Sequence, residues 1–418
     1  MKKFFIKSLG CKTNQIEAQI ISENLIENGF EKIKNSKQAD FFILNSCTVT
    51  STADSEVKYL LNKAKRDNPN VTTVLVGCIV SAQKELVKEW ADILLDNSQK
   101  LKISSHLEEK IAKQTRKTAE NTFENVFLKN PTSSRVSIKI QEGCNNSCAY
   151  CIIPRARGKS RSNSIENIIE EINHLVSLDK EEIILTGIHI GLWGLEWGKT
   201  LLDLLIEIEK TEIKRYRLGS LYVNELDDNL LEFLAKSKKF CPHFHLSLQS
   251  MCDKTLQNMK RKYSVQEELD KISKLHKLFP NAFLGADIIV GFPSEAKEDF
   301  EETAKNIKNA QLSKLHVFPY SKRNGTVAAG MEGQVPDGEK KSRARKLIEV
   351  SDKLLAEFLE RNIGIELNFI FDDKINKFGM QKGVSENYIE IFSKENYAPS
   401  KIHKIKLTAE MLGIQSKA

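Results

Sequence analysis

Between residues 136 and 319 the chain alternates six short apolar runs with helical stretches, and this alternation constrains the fold more than any other feature. The runs fall at 136–141, 182–186, 216–219, 244–249, 284–290 and 314–319, and amphipathic segments fall at 164–177, 201–210, 226–237, 265–278 and 295–310. Strands separated by helices cannot pair as hairpins. They line up parallel, with each crossover packing a helix on the sheet. Six units suggest a barrel, short of the eight that close a (β/α)8 barrel, and put reactive residues at the carboxyl ends of the strands. The same period governs the first hundred residues. Strands are expected at 4–6, 41–45, 71–76 and 92–96, with helices from Asn14 to about 29, from Thr52 or Asp54 to about 67, and at 82–90. That pattern predicts a doubly wound α/β domain.

Cysteines fall where such folds do chemistry. Cys144, Cys148 and Cys151 follow the first barrel strand at spacing Cys-x3-Cys-x2-Cys, with no fourth cysteine nearby. Three thiolates can close on one soft-metal centre and leave a coordination position open, as catalytic rather than structural sites do. A zinc knuckle completed by a distant residue is the alternative. Cys11, Cys47 and Cys78 each lie just past a predicted strand end, 36 and 31 residues apart, about one βα repeat each. They can converge on one sheet edge as a second triad, or be three unrelated buried thiols. Cys241 and Cys252 show no partner pattern. Eight cysteines in 418 residues are too few for a disulfide scaffold. No signal peptide is readable at the start, and no apolar run approaches the ~18 residues of a membrane span. The expectation is a cytoplasmic protein with no membrane partner.

Residues 144–151, with Tyr150 between the last two cysteines, resemble the cluster motif of the radical S-adenosylmethionine (SAM) enzymes. Gly-Cys-Lys-Thr-Asn-Gln at 10–15, Asn-Ser-Cys-Thr-Val-Thr at 45–50 and Val-Gly-Cys at 76–78 extend the likeness to the methylthiotransferase family, over almost the whole chain. The resemblance implies an amino-terminal α/β domain (1–112), a linker (113–134), a partial (β/α)6 radical SAM barrel (135–336), a connecting helix (337–363) and a small TRAM-like RNA-binding β-barrel (364–418). It implies two [4Fe-4S] clusters, one held by Cys144, Cys148 and Cys151 and an auxiliary one by Cys11, Cys47 and Cys78. It also implies SAM, with Tyr150, Gly187, Ser220, Gln249, Asp287 and Gly291 as candidate contacts, a low-potential electron donor and tRNA. This chain departs from its relatives after Cys78 (Ile-Val-Ser-Ala-Gln), after Ser220 (Leu-Tyr instead of an acidic residue) and after Ser250 (Met-Cys instead of glycine).

The segments 45–50, 185–189 and 316–323 are most similar to the branch that 2-methylthiolates N6-threonylcarbamoyladenosine at position 37 of tRNA. Isopentenyladenosine in tRNA and an aspartate of ribosomal protein S12 are the alternative substrates, and a non-catalytic zinc-containing RNA-binding protein is the reading from a different class. A net charge of +7 permits an anionic partner without demanding one. Arg155, Arg157, Lys159 and Arg161 alternate after the cysteine loop. Together with Lys260, Arg261, Lys262, Lys322 and Arg323 they are expected to offer cations to a phosphate backbone. His189, Trp193 and Trp197 are candidates for stacking on a base, against ordinary packing.

Overall fold

The computed structural model describes residues 1–112 and 127–413, so most of the expected linker lies outside the described residues. The chain divides into two compact units. One comprises Met1–Pro131, Gln141–Asn163 and Ser321–Ala329; the other comprises Thr132–Ile140, Ser164–Tyr320 and Gly330–Ala418.

In the first unit the strand Lys3–Ser8 lies between Glu31–Lys32 and Phe41–Ser46, and Thr72–Gly77 and Ile93–Leu95 complete a five-stranded parallel sheet. Phe41–Ser46 is buried at every position, as a central strand covered on both faces must be. Helix Lys12–Glu27 turns Ile16, Ile20, Ile21 and Leu25 inward at helical spacing. Phe42, Leu44 and Leu75 pack with Val57 and Leu61 of helix Ser51–Asp67 and with Ile79 and Val87 of helix Cys78–Val87. Burial of each such side chain contributes about 1.5–3 kcal/mol. Two helix starts differ from the sequence expectation. Cys11, rather than Asn14, occupies the cap of the first helix; Asn14 is fully buried and its amide donates to the carbonyls of Leu9 (2.8 Å) and Ser46 (3.0 Å). The third helix begins at Cys78, because Gly77 at φ +98° lets the chain turn directly out of the strand.

The second unit carries the six expected strands, all parallel and in chain order. Arg135–Lys139, Glu182–Thr186 and Arg215–Leu218 form one sheet; Ser220–Leu221, His243–Gln249, Phe283–Val290 and Lys314–Pro319 form the next. The third strand breaks at Gly219, where a Cβ would stand 3.1 Å from the Leu185 carbonyl. Crossover helices are capped as the sequence dictates: Ser164 accepts from the Asn167 amide, and Ser264 and Glu267 form a capping box.

Helix Asp337–Glu360 leads to a four-stranded antiparallel sheet in the order Glu390–Ser393, Gln381–Ser385, Glu366–Ile375, Ile402–Lys406. Phe369, Phe371, Ile391 and Leu407 form its core with Phe358 of the helix. Sequence reading missed Gln381–Ser385, whose five residues show little apolar alternation. A buried Arg215–Glu182–Arg217 triad fastens this sheet to the barrel strands. The two guanidiniums donate to the carbonyls of Asn368, Val384, Ser385 and Glu386.

Candidate functional site

In the first sheet Ser8 stands opposite Asn45, and Ser46 opposite Gly77, so three strands end at one level. Cys11, Cys47 and Cys78 follow those ends directly, and the register carries them to one edge. The loops are tied together there. The Leu9 amide donates to the Asn45 carbonyl (2.9 Å), the Asn45 side chain to the Asn14 carbonyl (2.7 Å) and the Ser46 hydroxyl to the Val76 carbonyl (2.6 Å). A Cβ on Gly10, at φ +101°, would lie 2.6 Å from Cys47 Cβ and 2.9 Å from its Sγ. Only glycine lets the Cys11 loop close on Cys47. Cys11 is exposed, whereas Cys47 and Cys78 are buried. The Cys47 thiol is pushed up to about 11, chiefly by burial and further by the Cys78 and Cys11 thiols beside it. Three cysteine sulfurs gathered at one sheet edge are soft donors, so this set fits a sulfur-bound metal or cluster.

The second triad belongs to the same unit. The short pair Gln141–Glu142 and Arg161–Ser162 closes the base of its loop. The Gln141 amide donates to the carbonyls of Glu142 (2.9 Å) and Gly143 (2.8 Å), the Cys144 amide to the Gly158 carbonyl (3.1 Å) and the Cys151 amide to the Cys148 carbonyl (3.0 Å). The Asn146 amide points at Cys144 Sγ (3.4 Å), the orientation a thiolate calls for. Cys144, Cys148 and Cys151 share the wall of a cavity of about 590 Å³ with Arg155, Lys159 and Thr326. That volume lies within the range of small-molecule pockets. Three cysteines on a cavity with two cations fit a cluster with an anionic ligand beside it.

The segment Ser321–Ala329 also meets both triads. The Ala328 amide donates to the Ala149 carbonyl (2.8 Å), within the second loop. Arg323 donates to the hydroxyl of Thr48, next to Cys47, at 2.5 Å and to Asp54 at 2.7 Å. Arg323 is therefore a buried anchor rather than a cation offered to solvent. Arg157 and Arg261 depart from the sequence expectation in the same way. Arg157 is buried among side chains of its own unit. Arg261 lies against the rings of Tyr222 (3.8 Å) and Tyr263 (4.8 Å) and donates to the Ser247 carbonyl. Only Arg155 and Lys159 of the alternating row line the cavity.

Of the candidate SAM contacts, Tyr150 is half-buried in the first unit. The others lie on strands or strand ends of the second. Gly187 follows Glu182–Thr186, and Ser220 opens its strand opposite His245. Gln249 holds φ +71° where the register between its strand and the next shifts. Such a left-handed glutamine at a strand end marks a site where local strain is tolerated. Asp287 pairs with His245 (2.9 Å) and lies 3.7 Å from His316. Gly291 has φ +70° and packs on Lys340. Trp193 is fully buried and meets Trp197 edge-on at 6.0 Å, so packing accounts for it. His189 is buried against Tyr222 (4.3 Å) and paired with Glu225. Cys241 and Cys252 are buried.

Sequence reading missed a set of charged side chains beside the first triad: Glu17, Lys100 and Glu142. Their one signal was Glu17, an acid set among Ile16, Ala18, Ile20 and Ile21 on an otherwise apolar helix face.

Residues 138–307 match the radical SAM superfamily, and residues 3–95 match a family described as uncharacterized protein family UPF0004. An Aquifex aeolicus protein named threonylcarbamoyladenosine tRNA methylthiotransferase MtaB is 34% identical over 405 residues, covering 94% of this chain and 97% of its own length. A Bacillus subtilis protein of the same name is 34% identical over 418 residues, covering 96% and 92%. A Clostridium botulinum tRNA-2-methylthio-N(6)-dimethylallyladenosine synthase is also 34% identical, over 370 residues that cover 85% and 82%. Among solved structures, the radical SAM methyltransferase TsrM from Kitasatospora setae superposes with a TM-score of 0.59 over 79% of this chain and 77% of its own, at 12% identity. That likeness establishes the fold alone. No helix among the described residues is long and apolar enough to cross a membrane.

Proposed function

The chain belongs to the radical SAM tRNA methylthiotransferases, and from that premise we propose that it methylthiolates C2 of N6-threonylcarbamoyladenosine at position 37 of tRNA. The observation that carries the choice of substrate is coverage. The relatives named for this nucleoside align over more than nine-tenths of both chains, whereas the dimethylallyladenosine relative aligns over 85% and 82%.

We assign Cys144, Cys148 and Cys151 to the cluster shared by all radical SAM enzymes and Cys11, Cys47 and Cys78 to a second. The convergence of each triad, and the glycine that lets Cys11 approach Cys47, support this assignment. An adenine C2–H is neither acidic nor a leaving group, so positioned acids and bases are not enough to functionalise it. When bound, two [4Fe-4S] clusters and SAM supply the one-electron chemistry, the sulfur and the methyl group, given a low-potential electron donor.

The protein's own residues bind and orient. The Asn146 backbone amide donates toward Cys144 Sγ and helps hold it in place. Arg155 and Lys159 present two cations to the cavity beside the second triad, suited to a carboxylate. Tyr150, Gly187, Ser220, Gln249, Asp287 and Gly291 are the proposed contacts for SAM, with Asp287 held in orientation by His245. The reaction is placed in the cytoplasm, where tRNA and reduced thiols coexist.

Mass spectrometry of tRNA nucleosides from cells with and without the gene tests the substrate. Deletion should abolish the 2-methylthio derivative of threonylcarbamoyladenosine and leave that of the dimethylallyl nucleoside; the reverse pattern would falsify the assignment. Purified Cys148→Ala protein should form no deoxyadenosine from SAM, whereas Cys47→Ala protein should still form it while making no methylthio product.

A further inference from the structure

Four ionisable side chains lie buried together between the two cysteine triads. Lys100, Glu17, Arg157 and Glu142 have side chains at most 4% exposed. Lys100 pairs with Glu17 (2.6 Å), and Arg157 Nη1 pairs with Glu17 (3.1 Å) and Glu142 (2.7 Å). Arg157 Nη2 donates to Asn14 Oδ1 (2.5 Å), and Lys100 to Asn97 Oδ1 (2.5 Å). Burying such ions costs several kcal/mol each, so the cluster persists only because two cations and two anions neutralise one another. This balance leaves one donor of the fork to be placed, Arg157 Nε. It points at Cys78 Sγ, 3.2 Å away, and the Asn97 amide approaches the same sulfur at 3.8 Å.

Arg157 closes the helix Ile153–Arg157 that follows Cys151, and Glu142 precedes Gly143 and Cys144. The guanidinium is therefore fixed by the loop of one triad while it donates to a sulfur of the other. A donor on a ligand sulfur withdraws electron density, stabilises the reduced cluster and raises its reduction potential. We propose that Arg157 is a positioning residue that sets the reduction potential of the centre held by Cys11, Cys47 and Cys78, through its Nε bond to Cys78. The proposal rests on the assignment of that triad as cluster ligands. Glu17 and Glu142 aim the guanidinium, and Lys100 keeps Glu17 in place. Lysine at 157 would keep the charge but lack a planar fork able to reach Glu17, Glu142 and the sulfur at once.

The test uses the full-length chain, reconstituted anaerobically with iron and sulfide, in a background where Cys144, Cys148 and Cys151 are alanine and one centre remains. Two variants are compared with that parent: Arg157→Lys, and the charge-balanced pair Arg157→Gln with Glu142→Gln, which leaves Lys100 and Glu17 matched. Iron per chain, circular dichroism and a potentiometric titration followed by electron paramagnetic resonance are read on each. Both variants should keep their iron and fold, with the reduced-to-oxidised ratio at a fixed potential falling about tenfold, equivalent to about 59 mV for one electron. An unchanged potential in both iron-loaded variants overturns the proposal. So does a folded Arg157→Lys protein without iron, because the arginine would then serve assembly rather than potential. A parent that binds no iron would instead remove the ligand assignment beneath it.

Discussion

Replacing Gly77 by alanine tests the geometry that gathers the first triad. Gly77 lies between the strand Thr72–Gly77 and the helix that begins at Cys78, at φ +98° and ψ −146°. That region is nearly closed to side chains, and entering it costs about 1–3 kcal/mol. A Cβ there would also stand 2.7 Å from Asn45 Oδ1 and 3.0 Å from the Ser46 carbonyl. Neither atom yields easily, since Asn45 and Ser46 are fully buried and bonded to neighbouring loops. Strain and overlap together should cost about 3 kcal/mol, equivalent to roughly 6–12 °C in melting midpoint for a unit of this size. Cys78 should also be displaced from Cys47, lowering iron retention at that triad. Gly29→Ala is the control, because Gly29 has φ +80° but nothing within 4 Å of an added Cβ. It should lose only about 1 kcal/mol and keep full iron content. Thermal melting and iron analysis of the two proteins decide the matter. Equal small losses, with iron unchanged in both, would refute the claim that close approach at Gly77 builds the site.

Glu268 is fully buried and, among the described residues, neither of its oxygens has a hydrogen-bond donor; burial holds its carboxyl well above the ordinary value, with Arg261 offsetting part of the effect. The folded chain therefore keeps a proton that the unfolded chain releases, and stability should decline as pH rises above about 4.5. Glu268→Gln should match the parent at pH 4 and exceed it by about 1 kcal/mol at pH 8, read from urea midpoints; an equal offset at both pH values would exclude this cause. Glu182 has the opposite sign: burial opposes its ionisation, but Arg217 and Arg215 outweigh this and hold the carboxyl below its usual value. Its contribution should be complete above about pH 4.5 and fade as pH falls through the lower folded value. Glu182→Ala strands two buried guanidiniums and should cost about 3–5 kcal/mol at neutral pH, with the four-stranded sheet the first to lose protection in hydrogen exchange.

The linear sequence by itself determined much of this protein. The six barrel strands, the βα repeats of the first hundred residues and the two cysteine triads were legible because each depends on local signals: apolar periodicity, short Cys spacing, and reactive residues placed just after strands. The coverage of the similar proteins then fixed the family. The strand Gln381–Ser385 was not legible, because five residues with little alternation pair only through their neighbours' register. Nor could sequence tell which basic residues face solvent. Arg155, Arg157, Arg261 and Arg323 read alike in a row of charges, yet three of them are buried. For two of them the partners come from far along the chain: Arg157 meets Glu17 140 residues away and Cys78 79 residues away, and Arg323 meets Asp54 across 269. An ion pair at such separation leaves no periodic trace in a sequence, and whether a buried charge is tolerable depends on which opposite charge the fold delivers to it. Spacing marked the two cysteine triads, and tertiary structure decided which charge stands over which sulfur.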